Sequence, residues 1–306
     1  VSATAGRNGM PPWHIGLAVL VVGIWGTNFV VIHVGLTHFG PFTFATLRFL
    51  FASLPLLLFV RRPKIAPGSL VTYGLAIGVG QTGLMLYALA GHISPGLASL
   101  LIQTQAFFTV ALAVLLSGER VRSGNIAALV LCTAGILLIA VNMGGDVDTT
   151  GILLVLAAAL SWGVGNIVAK RAGAIDMLAL VAWSNLVAVP PLLAAALLFE
   201  GPAAIQSSVL QADAAGWGTV LWQAFGNALF GYAAWNWLLA RHPAAEVAPM
   251  GLLVPIFGMS AAAWLLAEPM PLWKLAAAAL VLTGLAVNLT TGRRAAQGAK
   301  PALHHP

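Results

Sequence analysis

The sequence predicts an all-α membrane protein, with ten transmembrane helices arranged as two inverted five-helix repeats around a central cavity. Three observations lead there: ten apolar runs of membrane-spanning length, a one-sided distribution of basic residues over their connections, and a set of landmarks that recurs in the second half of the chain. The 306 residues are 60% hydrophobic and only 7% charged, with a mean hydropathy of +0.94. An ordinary soluble domain carries roughly 25% charged residues. A soluble surface cannot be built from this composition.

A helix needs roughly 20 consecutive, mostly apolar residues to cross the hydrocarbon core. The runs that satisfy this are Trp13 to His33, Phe42 to Val60, Leu70 to Gly91, Pro95 to Leu116, Gly124 to Val141, Ile152 to Lys170, Leu178 to Phe199, Trp217 to Ala240, Ala244 to Leu266 and Leu272 to Leu289. They are apolar on every face, whereas the strands of a membrane barrel alternate apolar and polar residues. The first run lacks a small-residue cleavage site after a short apolar core and reads as a retained signal anchor. The single cysteine, Cys132, falls inside the fifth run, so neither an intrachain disulfide nor a cysteine-based metal site is available.

Taken over alternate connections, one side of the membrane holds Arg7, Arg61, Arg62, Lys64, Arg120, Arg122, Lys170, Arg171, Arg241, Arg293, Arg294 and Lys300, and the other holds Lys274. Positive residues stay cytoplasmic, so both termini are expected in the cytosol, in a multi-pass protein of the bacterial inner membrane. Asp146, Asp148, Glu200 and Asp213 then fall outside. The net charge of +6 is scattered through short loops rather than gathered in a stripe, so it does not indicate nucleic acid.

The second half restarts the first. Trp25, Gly26, Thr27 and Asn28 are echoed by Trp162, Gly163, Val164 and Asn166. Gly118, Glu119 and Arg120 are echoed by Ala267, Glu268 and Pro269, and Thr133, Ala134 and Gly135 by Leu282, Thr283 and Gly284. Self-similarity in a fixed order marks an internal repeat. Five helices per unit force the second copy to enter from the opposite side, which gives an inverted repeat with a binding site between the halves. The chain therefore divides into a cytoplasmic N-terminal segment (residues 1–12), a first repeat (13–143), a second (150–290) and a cytoplasmic tail (291–306).

The Trp-Gly start of each half, Pro95 and Pro243 at the entries to runs four and nine, and Glu119 and Glu268 closing those runs together resemble the EamA family of the drug/metabolite transporter superfamily, nearest to amino-acid exporters of the YddG type. The resemblance spans nearly the whole chain. It implies a ten-helix basket whose cavity is lined by runs one to four and six to nine, with runs five and ten at the periphery.

The polar residues inside the runs are the candidate substrate-binding groups. Arg48 is an ionisable side chain well within a span, so it should face the bundle interior or water. It serves either a substrate carboxylate or backbone carbonyls at a helix break. Trp25 and Asn28, with Phe29 and Ile32, share one helix face, and Trp162 with Asn166 makes the corresponding face of run six. Each pair offers an apolar wall and an amide, or else ties helices together as amides do in bilayers. Gln81, Tyr87, Gln103, Gln105, Trp183 and Asn227, the last on a stripe with Gln223, Gly231 and Trp235, carry the same two readings. Pro249 and Pro255 interrupt run nine and mark a hinge. Glu119 and Glu268 read as caps of the helices that follow them. His33, His38 and His92 sit at outer ends without metal-ligand spacing.

An enzyme would need a nucleophile with its base, or metal ligands, at membrane depth, and the sequence offers neither. A channel would need a ring-forming filter segment. A cationic-drug carrier would be expected to hold a mid-depth carboxylate, and a carrier of phosphorylated sugars several cavity cations. The expectation is thus a secondary transporter of small neutral or zwitterionic metabolites, foremost amino acids including aromatic ones, working as an exporter by alternating access. Nucleosides, nucleotide sugars and drugs stand as alternative substrates, and an intramembrane enzyme stands behind them as the less favoured alternative. The expected partners are a small-molecule substrate and the lipid bilayer, with no nucleic acid, no cofactor and no metal, and with a monomer as the unit.

Overall fold

The computed structural model describes residues 10–117, 123–173 and 176–298. The expectations placed on Arg7, Gly118, Glu119, Arg120, Arg122 and Lys300 fall outside them. Eleven helices are described in order: α1 (Pro12–Leu36), α2 (Pro41–Leu57), α3 (Pro67–Leu89), α4 (Pro95–Leu116), α5 (Ser123–Val141), α6 (Thr149–Ala172), α7 (Met177–Glu200), α8 (Pro202–Gln211), α9 (214–241), α10 (244–265) and α11 (Leu272–Gly298). Eight of them are long and apolar enough to cross a membrane. Of the remainder, α2 is apolar but shorter, α8 is a short polar helix between two long ones, and α9 is an unbroken helical path interrupted by polar residues.

The helix starts are of two main kinds. Helices α1, α2, α3 and α4 open on a proline, whose fixed φ suits the first turn and whose missing N–H is not needed there. Helices α6, α7 and α9 are instead capped by Asp148, Asp176 and Asp213, each accepting a backbone N–H of the first turn.

Five helices depart from the α geometry, α7 only in its last turn, where Ala196–Glu200 is π-helical. A π-helical segment occupies Leu75–Gly83 of α3 and another Trp222–Phe230 of α9. A 3₁₀ segment interrupts α4 at Ile102–Thr104 and α10 at Ala248–Leu252. Pro249 lies in the latter segment and Pro255 is buried in the α-helical part just beyond it.

Packing joins α5 to α11, α1 to α10, α4 to α6, α2 to α7, α3 to α6, α1 to α9 and α4 to α10. Small residues set the closest approaches. A Cβ on Gly26 would meet the Val254 carbonyl oxygen of α10 at 2.5 Å, and a Cβ on Gly163 would meet Phe108 Cβ of α4 at 3.2 Å. Apolar side chains including Phe44, Leu86, Leu97, Leu100 and Leu101 fill the main core.

At one end the connections are tied together. Ile93 and Val147 form an antiparallel bridge, and the Ser94 N–H donates to the Asp146 carbonyl at 2.7 Å. Lys274, with no exposed surface, reaches Asp146 Oδ2 at 2.7 Å, Glu268 Oε1 at 2.9 Å and the Pro269 carbonyl at 2.9 Å, which satisfies all three ammonium donors. Glu268 was expected to cap the helix after it. Instead it accepts from Ser94 Oγ at 2.6 Å and from the Gly96 N–H at 3.0 Å, so it caps α4. Glu200, at the end of α7, does the same for α2, accepting from the Phe42 N–H at 2.6 Å, the Thr43 N–H and Thr43 Oγ1.

Candidate functional site

A cavity of about 220 Å³ lies midway along the helices. Of the residues expected to bind substrate, Trp25, Asn28, Arg48, Gln81, Gln103, Trp162 and Asn227 line it. They come from six helices, and α10 adds Gly251 and Val254. Four of the five irregular helix segments face this space, the π turn that ends α7 being the exception: Gln81 sits in the π segment of α3, Asn227 in that of α9, Gln103 in the 3₁₀ segment of α4 and Gly251 in that of α10. Such departures from α geometry re-aim side chains and concentrate at functional sites.

Arg48 reaches the cavity from α2, with its guanidinium carbon 5.0 Å from the Phe49 ring centre. Its Nε is buried without a hydrogen-bond partner, and no carboxylate among the described residues pairs with it. Trp25 is fixed by donating its indole N–H to the Asn227 carbonyl at 3.2 Å, and its ring packs 5.6 Å from Tyr232 and 5.2 Å from Trp235. The Asn28 amide donates to Gln223 Oε1 at 3.4 Å, and Asn227 donates to the same oxygen at 3.3 Å. That leaves Asn28 Oδ1 and Gln223 Nε2 buried and unsatisfied. A cation, the orphaned amide oxygen of Asn28 and two indoles therefore converge on one small space, with the orphaned Gln223 amide nitrogen buried behind Asn28 and Asn227. Buried polar atoms without partners are costly unless something else supplies the bond.

Three expected residues lie elsewhere. Asn166 donates to Gln105 Oε1 at 2.9 Å and to Thr109 Oγ1 at 3.0 Å, tying α6 to α4 behind the cavity wall. Tyr87 stacks on Phe42, with ring centres 5.7 Å apart, at the end of α3. Trp183 donates its indole N–H to the Val60 carbonyl at 3.3 Å, and α7 contributes nothing to the cavity lining. Conversely, Tyr232, Thr82 and Met85 line the cavity without having been singled out.

A second, wider cavity of about 770 Å³ lies at the end where the connections are tied, lined by His33, His92, Asp146, Asp148 and Glu268 among others. There His92 Nδ1 lies 2.8 Å from Asp148 Oδ2, and His38 lies 3.7 Å from Asp213. The hydrogen bond with His92, followed by that from the Gly151 N–H, holds the Asp148 carboxyl below its ordinary range. The Gly216 N–H, and then the charge of His38, do the same for Asp213.

The EamA-like transporter family model matches residues 12–141 and, a second time, residues 149–290. The chain belongs to the EamA-like transporter family. It is similar, at 40% identity over 89% of this chain and 93% of the other, to a Salmonella typhimurium protein named "Probable amino-acid metabolite efflux pump". A "Probable terminal-alkyne amino-acid exporter" of Streptantibioticus cattleyicolor is 31% identical over 90% of this chain and 94% of its own. A solved crystal structure superposes with a TM-score of 0.63 at 18% identity, covering 94% of this chain and 99% of that one, which establishes a shared fold. The EamA chain described here is thus a multi-pass secondary transporter of small metabolites in the bacterial inner membrane and not an enzyme.

Proposed function

We propose that this EamA transporter exports small zwitterionic amino acids, aromatic and apolar ones included, by alternating access. The observation that carries the reading is a buried guanidinium without a counter-ion in a cavity walled by two indoles. Arg48 donates to the substrate carboxylate in a charge-assisted pair. Asn28 Oδ1 accepts from the substrate ammonium, and Trp25 and Trp162 cover its side chain. The printed names of two relatives support the same substrate class. Asn166 acts by holding Gln105, and Tyr87 and Trp183 act at the helix ends.

The mechanism rests on ten crossings in two inverted halves, residues 13–143 and 150–290. The two successive matches to one family model support this division. So does the packing: exchange α1 with α6, α2 with α7, α3 with α9, α4 with α10 and α5 with α11, and the joined pairs map onto one another. The π segments of α3 and α9 and the 3₁₀ segments of α4 and α10 exchange in the same way. A pseudo-twofold axis of this kind lets one half rock against the other around a fixed site, with Pro249 and Pro255 as hinge in α10. The one-sided basic residues put both termini in the cytoplasm, and a monomer contains the whole cavity.

The test is exchange of labelled phenylalanine by the purified full chain in proteoliposomes. Arg48→Gln removes a charged hydrogen bond worth about 1.5–3 kcal/mol and should slow phenylalanine about 10- to 150-fold while sparing phenylethylamine, which has no carboxylate. Trp162→Ala should slow phenylalanine more than alanine. Native rates for phenylalanine in Arg48→Gln would sink the reading.

A further inference from the structure

On the flank away from the central cavity, where α4, α5, α6 and α11 meet, lies a groove of about 540 Å³. Its walls are apolar: Phe108, Ala111 and Val114 of α4 and Ile126, Leu129 and Ile136 of α5 line much of it. Ile126 and Leu129 are more than half exposed, so the groove opens sideways rather than toward the substrate space.

Its dimensions identify the occupant. Along α5 the lining runs from Asn125 to Ile136, twelve residues whose eleven rises of 1.5 Å span about 17 Å. One leaflet of a bilayer whose hydrocarbon is about 30 Å thick is about 15 Å deep. The groove is open along this length to the surrounding bilayer through Ile126 and Leu129, so its occupant is apolar and about one leaflet long, as a hydrocarbon chain is, whose carbons pack against side chains at about 4.0–4.5 Å.

Thr133 apart, the polar features lie at one end of this length. Asn125 donates to Asn288 at 2.9 Å there. Just beyond, exposed Arg171 holds the Leu116 carbonyl through Nη2 at 2.8 Å, next to the lining residue Leu115. An apolar slot one leaflet deep with the Arg171 guanidinium at its mouth complements an anionic amphiphile.

We propose that this groove binds one anionic phospholipid of the leaflet facing Arg171, with acyl chain in the slot and phosphate at the guanidinium. The lipid then lies against the back of α4, whose front carries Gln103 and Gln105 in the substrate cavity. The probe is the purified full chain in maltoside, titrated with dioleoyl phosphatidylglycerol or dioleoyl phosphatidylcholine, with bound lipid counted by native mass spectrometry and the thermal midpoint followed in parallel. Phosphatidylglycerol should persist as a one-to-one adduct under activation that strips phosphatidylcholine, and should raise the midpoint saturably. Arg171→Gln should cut the preference about fivefold, the effect of one basic residue near an anionic surface. Ala111→Trp and Leu129→Trp, which fill the slot from opposite walls and point into lipid rather than core, should each abolish the adduct. Equal retention of the two lipids by the native chain, or an adduct that survives both filling variants, would overturn the proposal. A two-copy species that these variants dissolve, with no lipid adduct, would overturn it in favour of an interface between chains.

Discussion

Gly26 and Gly163 each follow a tryptophan that faces the cavity, and each lies where its helix presses against another. The pairing of large and absent side chains has a physical reason: the glycine lets the backbones close, and the closure aims the indole beside it. Gly26→Ala would place a Cβ 2.5 Å from a backbone oxygen that cannot turn aside, whereas Gly163→Ala meets its nearest atoms at 3.2 Å. Overpacking costs about 1–3 kcal/mol, so Gly26→Ala should lower the thermal midpoint clearly further than Gly163→Ala. The reverse order would show that α1 and α10 yield more easily than α4 and α6. The Trp-Gly motif was legible because it occurs twice and because Trp25 and Asn28 share a face at helical spacing. Asn166 occupies the matching place, yet nothing local to it announces that Gln105 and Thr109 would draw it away from the cavity. Tyr232 was hidden by geometry. The stripe Gln223, Asn227, Gly231 assumes 3.6 residues per turn, but the π segment ending at Phe230 widens the turn by a residue and moves the cavity face to the next position.

Among the elements, the helix starts carry the most readable consequences. Lys274 has no exposed surface and holds two carboxylates, so Lys274→Met leaves Glu268 and Asp146 without their cation and should cost about 3–5 kcal/mol. Asp146→Asn should cost less, because its side chain keeps 27% of its surface in contact with solvent. Thermal unfolding of the two variants in one detergent checks the order. The Asp148 cap gives a pH signature. Its carboxyl is depressed below the ordinary 3.8, so its contribution is complete above that value and drains away as the pH falls through the lower, folded one. Asp148→Asn should therefore flatten the acid limb of the midpoint-versus-pH curve, and an unchanged limb would remove the cap from the account. The long apolar helices could be read from neighbouring residues, whereas the aspartates that cap α6, α7 and α9 were a local signal left unread. The roles of Glu200 and Glu268 could not be read locally, since their targets at Phe42 and Gly96 lie more than 150 residues earlier.

For the whole molecule, the charge distribution makes the sharpest prediction. Cysteines placed at Asp146 and at Arg62 should react with an impermeant maleimide from opposite faces of the membrane, Asp146 from outside. Labelling from one face would remove the inverted repeat and with it the rocking mechanism. The recurring landmarks suggested two halves, but not which helices would touch, because the membrane-spanning runs are largely apolar on every face and their few polar residues do not name a partner. One further consequence follows from the carboxylates of the second half that cap α2 and α4 of the first. At about 5–20 residues per second, a ribosome that has delivered Gly96 needs roughly 10–30 s to deliver Glu268. For that interval the early helices sit in the membrane with their leading N–H groups served by water or headgroups alone. Completion of the carrier is thus a matter of timing, and a truncated product ending after α5 would expose to membrane proteases the very turns that the finished chain seals.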